Sequence, residues 1–385
     1  MIYLDNAATT FPKPRCTVDA VCNFLTRTGG NPGRSGHTLS VDAARVMYDT
    51  REAAAALFGG SDPMKVILTH NATYGINMGL KGLLEPGDRV IATSMEHNAV
   101  MRPLRSLEAR GVSLTIVGCG PDGNLDPGDI ERALMEKADL VVMTAASNVT
   151  GTIMPIREVG LLARERGVPF MVDAAQAGGV VPLDMREDCI DILAFTGHKS
   201  LYGPTGTGGL IFGARIEAET LLPLLEGGTG SRSEEECQPS FLPDRFESGT
   251  PNGAGIAGLG AALEWLKREG RETILLREQA LAAKLTEGLA SVPGISLYGP
   301  EDAGKRTGVV SFTVDNHQVS EIGEILDDEF GIMTRVGLHC APAAHKNIGT
   351  FPEGTVRMSA GAFTTPEDID TAIQAVRSIR CRVRG

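Results

Sequence analysis

The 385-residue sequence predicts an α/β fold: a large domain on a mainly parallel, seven-stranded sheet, followed by a smaller α+β domain. Three observations carry this. Seven short apolar runs alternate with amphipathic stretches from residue 15 to about 250, the pattern of a parallel sheet covered on both faces. From residue 253 a long helical stretch leads into a second pattern, in which helices alternate with strands. An apolar run at 190–195 stops abruptly at Thr196-Gly197-His198-Lys199, placing a lysine at the carboxyl end of a buried strand, where open α/β sheets put their ligand sites.

The expected strands of the large domain are residues 64–70, 89–94, 113–119, 139–147, 169–175, 192–197 and 208–213. Amphipathic helices are expected at 42–58, 100–110, 129–137 and 156–166. Residues 226–252 are rich in glycine, serine, proline and acidic residues, with little periodicity, and read as a long loop leading to the next lobe or packing on a neighbouring subunit. In the second pattern, helices near 274–289, 318–330 and 366–378 alternate with strands near 295–298, 308–314, 333–336 and 355–359. The expected division is therefore 15–252 for the large domain, with 1–14 and 253–385 forming the small one.

Composition narrows the function. A net charge of −12 argues against nucleic acid or an anionic membrane as partner. No segment approaches the roughly 18 consecutive apolar residues of a membrane span. The first ten residues carry neither the basic region nor the apolar core of a signal peptide. The seven cysteines are an odd set without a Cys-x-x-Cys pair, which reads as reduced thiols in the cytoplasm, with no disulfide framework and no metal site. Asn71-Ala-Thr and Asn148-Val-Thr match the glycosylation pattern only by chance if the chain is not secreted.

Lys199 gains meaning from a second strand end. The apolar run from Pro169 delivers Asp173 and Gln176 to the same sheet edge. A lysine able to form a Schiff base, beside an aspartate able to hold a pyridinium nitrogen, is what pyridoxal 5'-phosphate chemistry requires. The phosphate of that cofactor needs donors at a helix amino terminus. Asn71-Ala-Thr-Tyr-Gly-Ile-Asn77 follows a strand and opens a helix, so the amides of Ala72 and Thr73 suit it, with Thr196 and His198 completing the cradle. The glycine-rich run at 203–209 matches neither nucleotide-loop pattern and is rejected as one.

Several ordered motifs then span nearly the whole chain: Tyr3-Leu-Asp-Asn-Ala-Ala-Thr-Thr10, Asn31-Pro-Gly-Arg-Ser-Gly-His37, Met95-Glu-His-Asn98, Ser147-Asn-Val-Thr-Gly151, Val172-Asp-Ala-Ala-Gln176, Thr196-Gly-His-Lys199 and Gly337-Leu-His-Cys-Ala-Pro342. Together they resemble the cysteine desulfurase/selenocysteine lyase family of class V aminotransferase-type enzymes. The resemblance implies the type I fold of pyridoxal-phosphate enzymes, as in aspartate aminotransferase, and a homodimer with active sites at the interface. It implies Lys199 as the Schiff-base lysine, Asp173 on the pyridinium nitrogen, Gln176 donating to the ring oxygen and His97 stacked on the ring. Asn148 lies near the substrate carboxylate and ring oxygen, and Arg357 grips that carboxylate through its planar fork. Thr250, in Gly249-Thr250, reaches the phosphate of the neighbouring subunit's site.

Cys340 is implied as the sulfur acceptor, converting L-cysteine to L-alanine and holding a persulfide for a sulfur-acceptor protein. The thiolate is the nucleophile, so a neighbouring cation would help, and His339 and Arg335 are the candidates. The other six cysteines read as structural or incidental. The sequence departs from the family in Leu338, where one branch has a second histidine, and in Thr196, where serine is commoner. The segment between Cys340 and Arg357 is somewhat long, which bears on loop mobility, substrate choice and the acceptor. Selenocysteine lyase, or another pyridoxal-phosphate lyase or aminotransferase, remains the alternative, and a retired scaffold fits poorly with Lys199, Asp173, Arg357 and Cys340 all present. The destination of the sulfur stays open among iron–sulfur cluster assembly, thiolated tRNA and cofactors.

Overall fold

The computed structural model describes residues 1–33 and 35–380; Arg34 of the 31–37 motif and Cys381 lie outside the described residues. The chain opens with β1 (Ile2–Tyr3) and two helices, α1 (Arg15–Asn23) and α2 (Thr38–Phe58). The large sheet follows as β2 (Val66–Thr69), α3 (Ala72–Leu83), β3 (Arg89–Thr93), α4 (Asn98–Glu108), β4 (Ser113–Val117), α5 (Pro127–Ala133), β5 (Leu140–Thr144), α6 (Ile156–Glu165), β6 (Phe170–Asp173), β7 (Ile192–Thr196) and β8 (Gly208–Phe212). The remainder comprises α7 (Gly253–Glu269), α8 (Arg271–Ala290), β9 (Ile295–Tyr298), β10 (Val309–Val314), α9 (Val319–Phe330), β11 (Ile332–Met333), β12 (Arg335–Gly337), α10 (Pro342–Asn347), β13 (Thr355–Ser359) and α11 (Pro366–Arg380).

The seven strands of the large sheet lie in the order β2-β8-β7-β6-β5-β3-β4, and only β8 runs antiparallel to its neighbours. Strands β5 to β8 are buried along their whole length, which explains why they read as unbroken apolar runs. Register aligns the strand ends that matter: Thr144 of β5 pairs with Asp173 of β6, which pairs with Ala194 of β7. The turn carrying Lys199 packs backbone against backbone on the turn after β6, since any Cβ on Gly179 would run into the Ser200 carbonyl oxygen. Glycine is required there by space.

The small lobe has its own core, with Leu285, Phe312, Leu326 and Met358 among its buried side chains. Its antiparallel sheet has the order β12-β13-β10-β9. The single strand expected at 333–336 is two strands in different sheets. β1 captures β11 as a parallel partner, Ile2 against Ile332, while β12 pairs with β13. The amino terminus thus ties itself to the small lobe by backbone pairing.

The large core extends past residue 252, where the division was expected. Leu259, Ala262, Leu263 and Leu266 of α7 are buried in it, because α7 recurs at helical spacing with an apolar face that meets the large-domain core. Between β8 and α7 there is no helix longer than one turn among the described residues. This loop is anchored by Arg51, whose fork holds Glu247 at 2.6 and 2.5 Å. The long segment after Cys340 folds partly as α10 and docks on the large domain: Ser94 donates to the Asn347 side chain at 2.7 Å, and that amide donates to the Gly120 carbonyl at 2.8 Å. No helix among the described residues is long and apolar enough to cross a membrane.

Candidate active site

The carboxyl ends of β5, β6 and β7 and the start of α3 and α4 enclose a cavity of about 200 Å³. Asp173, the last residue of β6, is buried in its wall and accepts a hydrogen bond from the Ala175 amide at 2.9 Å. Burial raises its pKa, against the opposing pull of that amide and of Lys199. A carboxylate so placed needs a cationic partner to stay ionised.

Lys199 enters the same cavity from the turn after β7. Burial lowers its pKa to about 8. Asp173 and Cys340 pull the other way, while Arg357 and Arg335 add to the depression. Its backbone is clamped by the amino-terminal segment. The carbonyl of His198 accepts from the Thr10 amide at 3.1 Å, the Thr9 hydroxyl at 3.1 Å and the Lys13 ammonium at 2.7 Å. The Thr10 hydroxyl also donates to the Lys199 carbonyl at 3.0 Å.

His97 caps α4, its Nδ1 accepting from the Ala99 amide at 3.0 Å. Burial foremost, then Lys199, lowers its pKa to about 4. The ring is therefore neutral with its proton on Nε2. Beside it, Glu96 is fully buried and its Oε1 accepts from the Thr93 hydroxyl at 2.6 Å and the Thr144 amide at 3.2 Å. Burial raises its pKa to about 8.

At the other end of the cavity the donors are unspent. Asn71 caps α3 by accepting from the Tyr74 amide at 2.9 Å, leaving the amides of Ala72 and Thr73 in the first turn, without carbonyl partners four residues back. The Thr196 hydroxyl and His198 Nδ1 are buried without partners. Burial lowers the His198 pKa to about 4, so Nδ1 is part of a neutral ring. Orphaned polar atoms beside a helix amino terminus fit a phosphate group. With Lys199 and Asp173 opposite, the donor set fits pyridoxal phosphate. Gln176 spends one amide hydrogen on the Ala7 carbonyl at 3.0 Å and keeps the other.

Cys340 is exposed on the turn between β12 and α10. Both His339 and Cys340 adopt positive φ, 48° and 58°, a conformation that costs non-glycine residues energy and needs outside support. Three contacts provide it. The Asn148 side chain donates to the His339 carbonyl at 2.7 Å, the Asn98 amide to the Cys340 carbonyl at 2.9 Å, and the His339 ring meets the Thr355 hydroxyl at 3.0 Å. Arg335 donates to Cys340 Sγ at 3.6 Å. His339 is not the cation beside the sulfur: burial lowers its pKa to about 2, so the ring is neutral.

Arg357, on β13, is 1% exposed. It holds Asp5 at 2.7 Å and the Asn148 carbonyl at 3.0 Å, and its Nε is unpartnered.

A family model described as aminotransferase class-V matches residues 2–371. A cysteine desulfurase of Escherichia coli O157:H7 is 35% identical over 391 residues, covering 98% of this chain and 93% of that protein. The chain belongs to the class-V aminotransferases, in the cysteine desulfurase family. Among solved structures, the apo cysteine desulfurase of Thermococcus onnurineus NA1 matches with a TM-score of 0.92 at 33% identity, covering 98% of this chain and 94% of that one. The Escherichia coli cysteine desulfurase CsdA matches at 0.87 and 30% identity, covering 99% and 95%. The fold is the type I fold of pyridoxal-phosphate enzymes, with a mainly parallel seven-stranded sheet.

Of the residues singled out from sequence, Ala72, Thr73, His97, Asn148, Asp173, Gln176, Thr196, His198 and Lys199 line one cavity. Cys340 stands on a turn tied to that wall through Asn148. Arg357 lies just behind Asn148, engaged by Asp5, and does not line the cavity. Thr250 lies away from it, in a separate groove with Tyr48, Tyr74 and Glu247. Sequence reasoning missed Asp5, Lys13, Thr10 and Glu96. All four sit inside or beside motifs already quoted, so position within those motifs was the available signal.

Proposed function

We propose that this chain is a pyridoxal-phosphate-dependent cysteine desulfurase that releases L-alanine from L-cysteine and keeps the sulfur as a persulfide on Cys340. One observation carries the reading: Asn148 joins the wall of the Lys199 cavity to the turn that bears an exposed thiol.

When bound, pyridoxal phosphate supplies a carbonyl that takes the substrate amine and a ring that accepts the electron pair left at Cα. Thr196, His198 and the amides of Ala72 and Thr73 would hold its phosphate, Asp173 its ring nitrogen and Gln176 its ring oxygen. His97 would cover the ring face. Arg357, with Asn148, would receive the substrate carboxylate, exchanging part of its contact with Asp5. Lys199 Nζ, neutral above about pH 8, removes the Cα proton. Cys340 Sγ forms an S–S bond to the substrate sulfur as the Cβ–S bond breaks, its electron pair going to Cβ. A proton delivered to Cβ completes the methyl group, and a proton returned to Cα completes alanine.

We further assign a homodimer in the cytoplasm, serving a sulfur-acceptor protein. Thr250, remote from its own cavity, would serve the cavity of a second copy. Apolar side chains left exposed on α2 and in the loop, Val41, Tyr48, Leu222 and Leu225, support such a face. A fully active monomer in sedimentation would overturn the dimer. The sulfur chemistry is tested by a single turnover with L-cysteine and no reductant. Mass spectrometry should find one extra sulfur on the Cys340 peptide, and none in Lys199→Ala; an unmodified Cys340 alongside released alanine would reject the persulfide.

A further inference from the structure

We infer that the groove between α4 and α10, beside Cys340, is the docking face for an acidic, thiol-bearing segment of the sulfur acceptor. The inference deepens the desulfurase reading and takes its biological meaning from it. Its geometry stands apart from the Lys199 cavity.

The groove has a volume of about 620 Å³ and is formed by few elements. Asn98, Arg102 and Arg105 recur on one face of α4 at helical spacing. Pro342 and Lys346 face them from α10, and Ile116 lies between, on the edge strand of the large sheet. Ile116 is 37% exposed, an apolar side chain left open at the sheet edge. The groove adjoins the sulfur: the Asn98 amide holds the Cys340 carbonyl at 2.9 Å, and Pro342 is two residues beyond Cys340. A small reductant reaches an exposed thiol without any of this. A protein thiol must be brought to it along a surface.

Charge states what kind of protein. The chain carries a net charge of −12, yet among the described residues no carboxylate lines this groove. Arg105 is paired with Glu108 at 2.7 Å. Arg102 makes no ion pair among the described residues, and Lys346 lies over the Phe351 ring at 4.9 Å without a carboxylate. Two uncompensated cations flanking an apolar floor, on an otherwise acidic molecule, match an acidic segment with an apolar residue beside its thiol.

The test uses two synthetic peptides of equal length, one rich in Asp and Glu, one rich in Lys. Each carries one cysteine activated as a disulfide with thionitrobenzoate. Attack by the Cys340 thiolate on the peptide sulfur forms a Cys340–peptide disulfide and releases thionitrobenzoate with the bond's electron pair. The rate belonging to Cys340 is the difference from Cys340→Ser. The acidic peptide should react at least about tenfold faster at low salt, an advantage that shrinks as salt rises. The double variant Arg102→Glu/Lys346→Glu should remove or invert the preference while alanine release with a small thiol reductant is unchanged. Equal rates for the two peptides, or a preference that survives the double variant with Arg335 as its source, would overturn the docking face. Because the exchange needs no cofactor, a charge preference in a protein that released no alanine would support the docking face and reject the desulfurase reading.

Discussion

Arg335 donates a hydrogen bond to the sulfur of Cys340 at 3.6 Å. Arg335 opens β12 and Cys340 lies on the turn that leaves it, so the strand that carries the cation also leads into the turn that bears the sulfur. Asn148, Asn98 and Thr355 grip the turn from three other segments.

Removing the cation should therefore cost sulfur transfer more than folding. A hydrogen bond to a charged group is worth about 1.5–3 kcal/mol, so Arg335→Ala should slow alanine release about ten- to a hundredfold. Arg335→Lys, which keeps the charge and loses the fork, should recover part of it. The rate with L-cysteine under a saturating thiol reductant measures this, and an unchanged rate in Arg335→Ala would remove Arg335 from the reaction.

Asp173 is a buried acid whose only cationic neighbour in the cavity, among the described residues, is Lys199. Asp173→Ala should lose the cofactor, seen as a fall in pyridoxal phosphate retained per subunit after gel filtration. Full retention would show that Asp173 contributes nothing measurable to holding the cofactor.

Lys199 sets a pH dependence. With its pKa lowered to about 8 by burial, the amine is protonated below that value and nucleophilic above it. The rate at which apo-protein captures pyridoxal phosphate should rise with pH through a midpoint near 8. A midpoint near the ordinary lysine value of 10.5 would contradict the burial of the amine.

Glu278 on α8 is buried behind this site. Tyr202, three residues beyond Lys199, donates to its Oε1 at 3.4 Å and accepts from the Ala362 amide at 2.7 Å. Burial raises its pKa from 4.5 to about 8. A carboxyl whose folded pKa is raised binds its proton more tightly when folded. Its contribution to stability is thus greatest below 4.5 and is lost as pH rises through about 8. Glu278→Gln, neutral throughout, should flatten the fall in Tm of the wild type across that window. Parallel Tm curves would contradict it.

Much of the site was legible because its chemistry sits at strand ends. Lys199 and Asp173 each follow an unbroken apolar run, and such runs mark buried parallel strands whose carboxyl ends face a ligand. The segment from Asn71 was legible as the start of a helix after a strand, and the structure shows Asn71 capping α3. Contacts between segments distant in sequence were not legible. Asp5 reaches Arg357 across 352 positions, and Thr10 and Lys13 reach His198 across nearly 190, through pairings that no local pattern encodes. The split of the 333–336 strand has the same origin, since β1 must arrive before β11 has a partner. His339 read as a cation beside Cys340 because adjacency in sequence hides the inward turn of its ring toward Thr355.

The measurement that bears most directly on the desulfurase reading is alanine release from L-cysteine by the cofactor-loaded protein with a thiol reductant, wild type against Cys340→Ser. Sulfur capture by Cys340 requires alanine from the wild type and almost none from the variant. Equal release from both would mean that the sulfur leaves without Cys340.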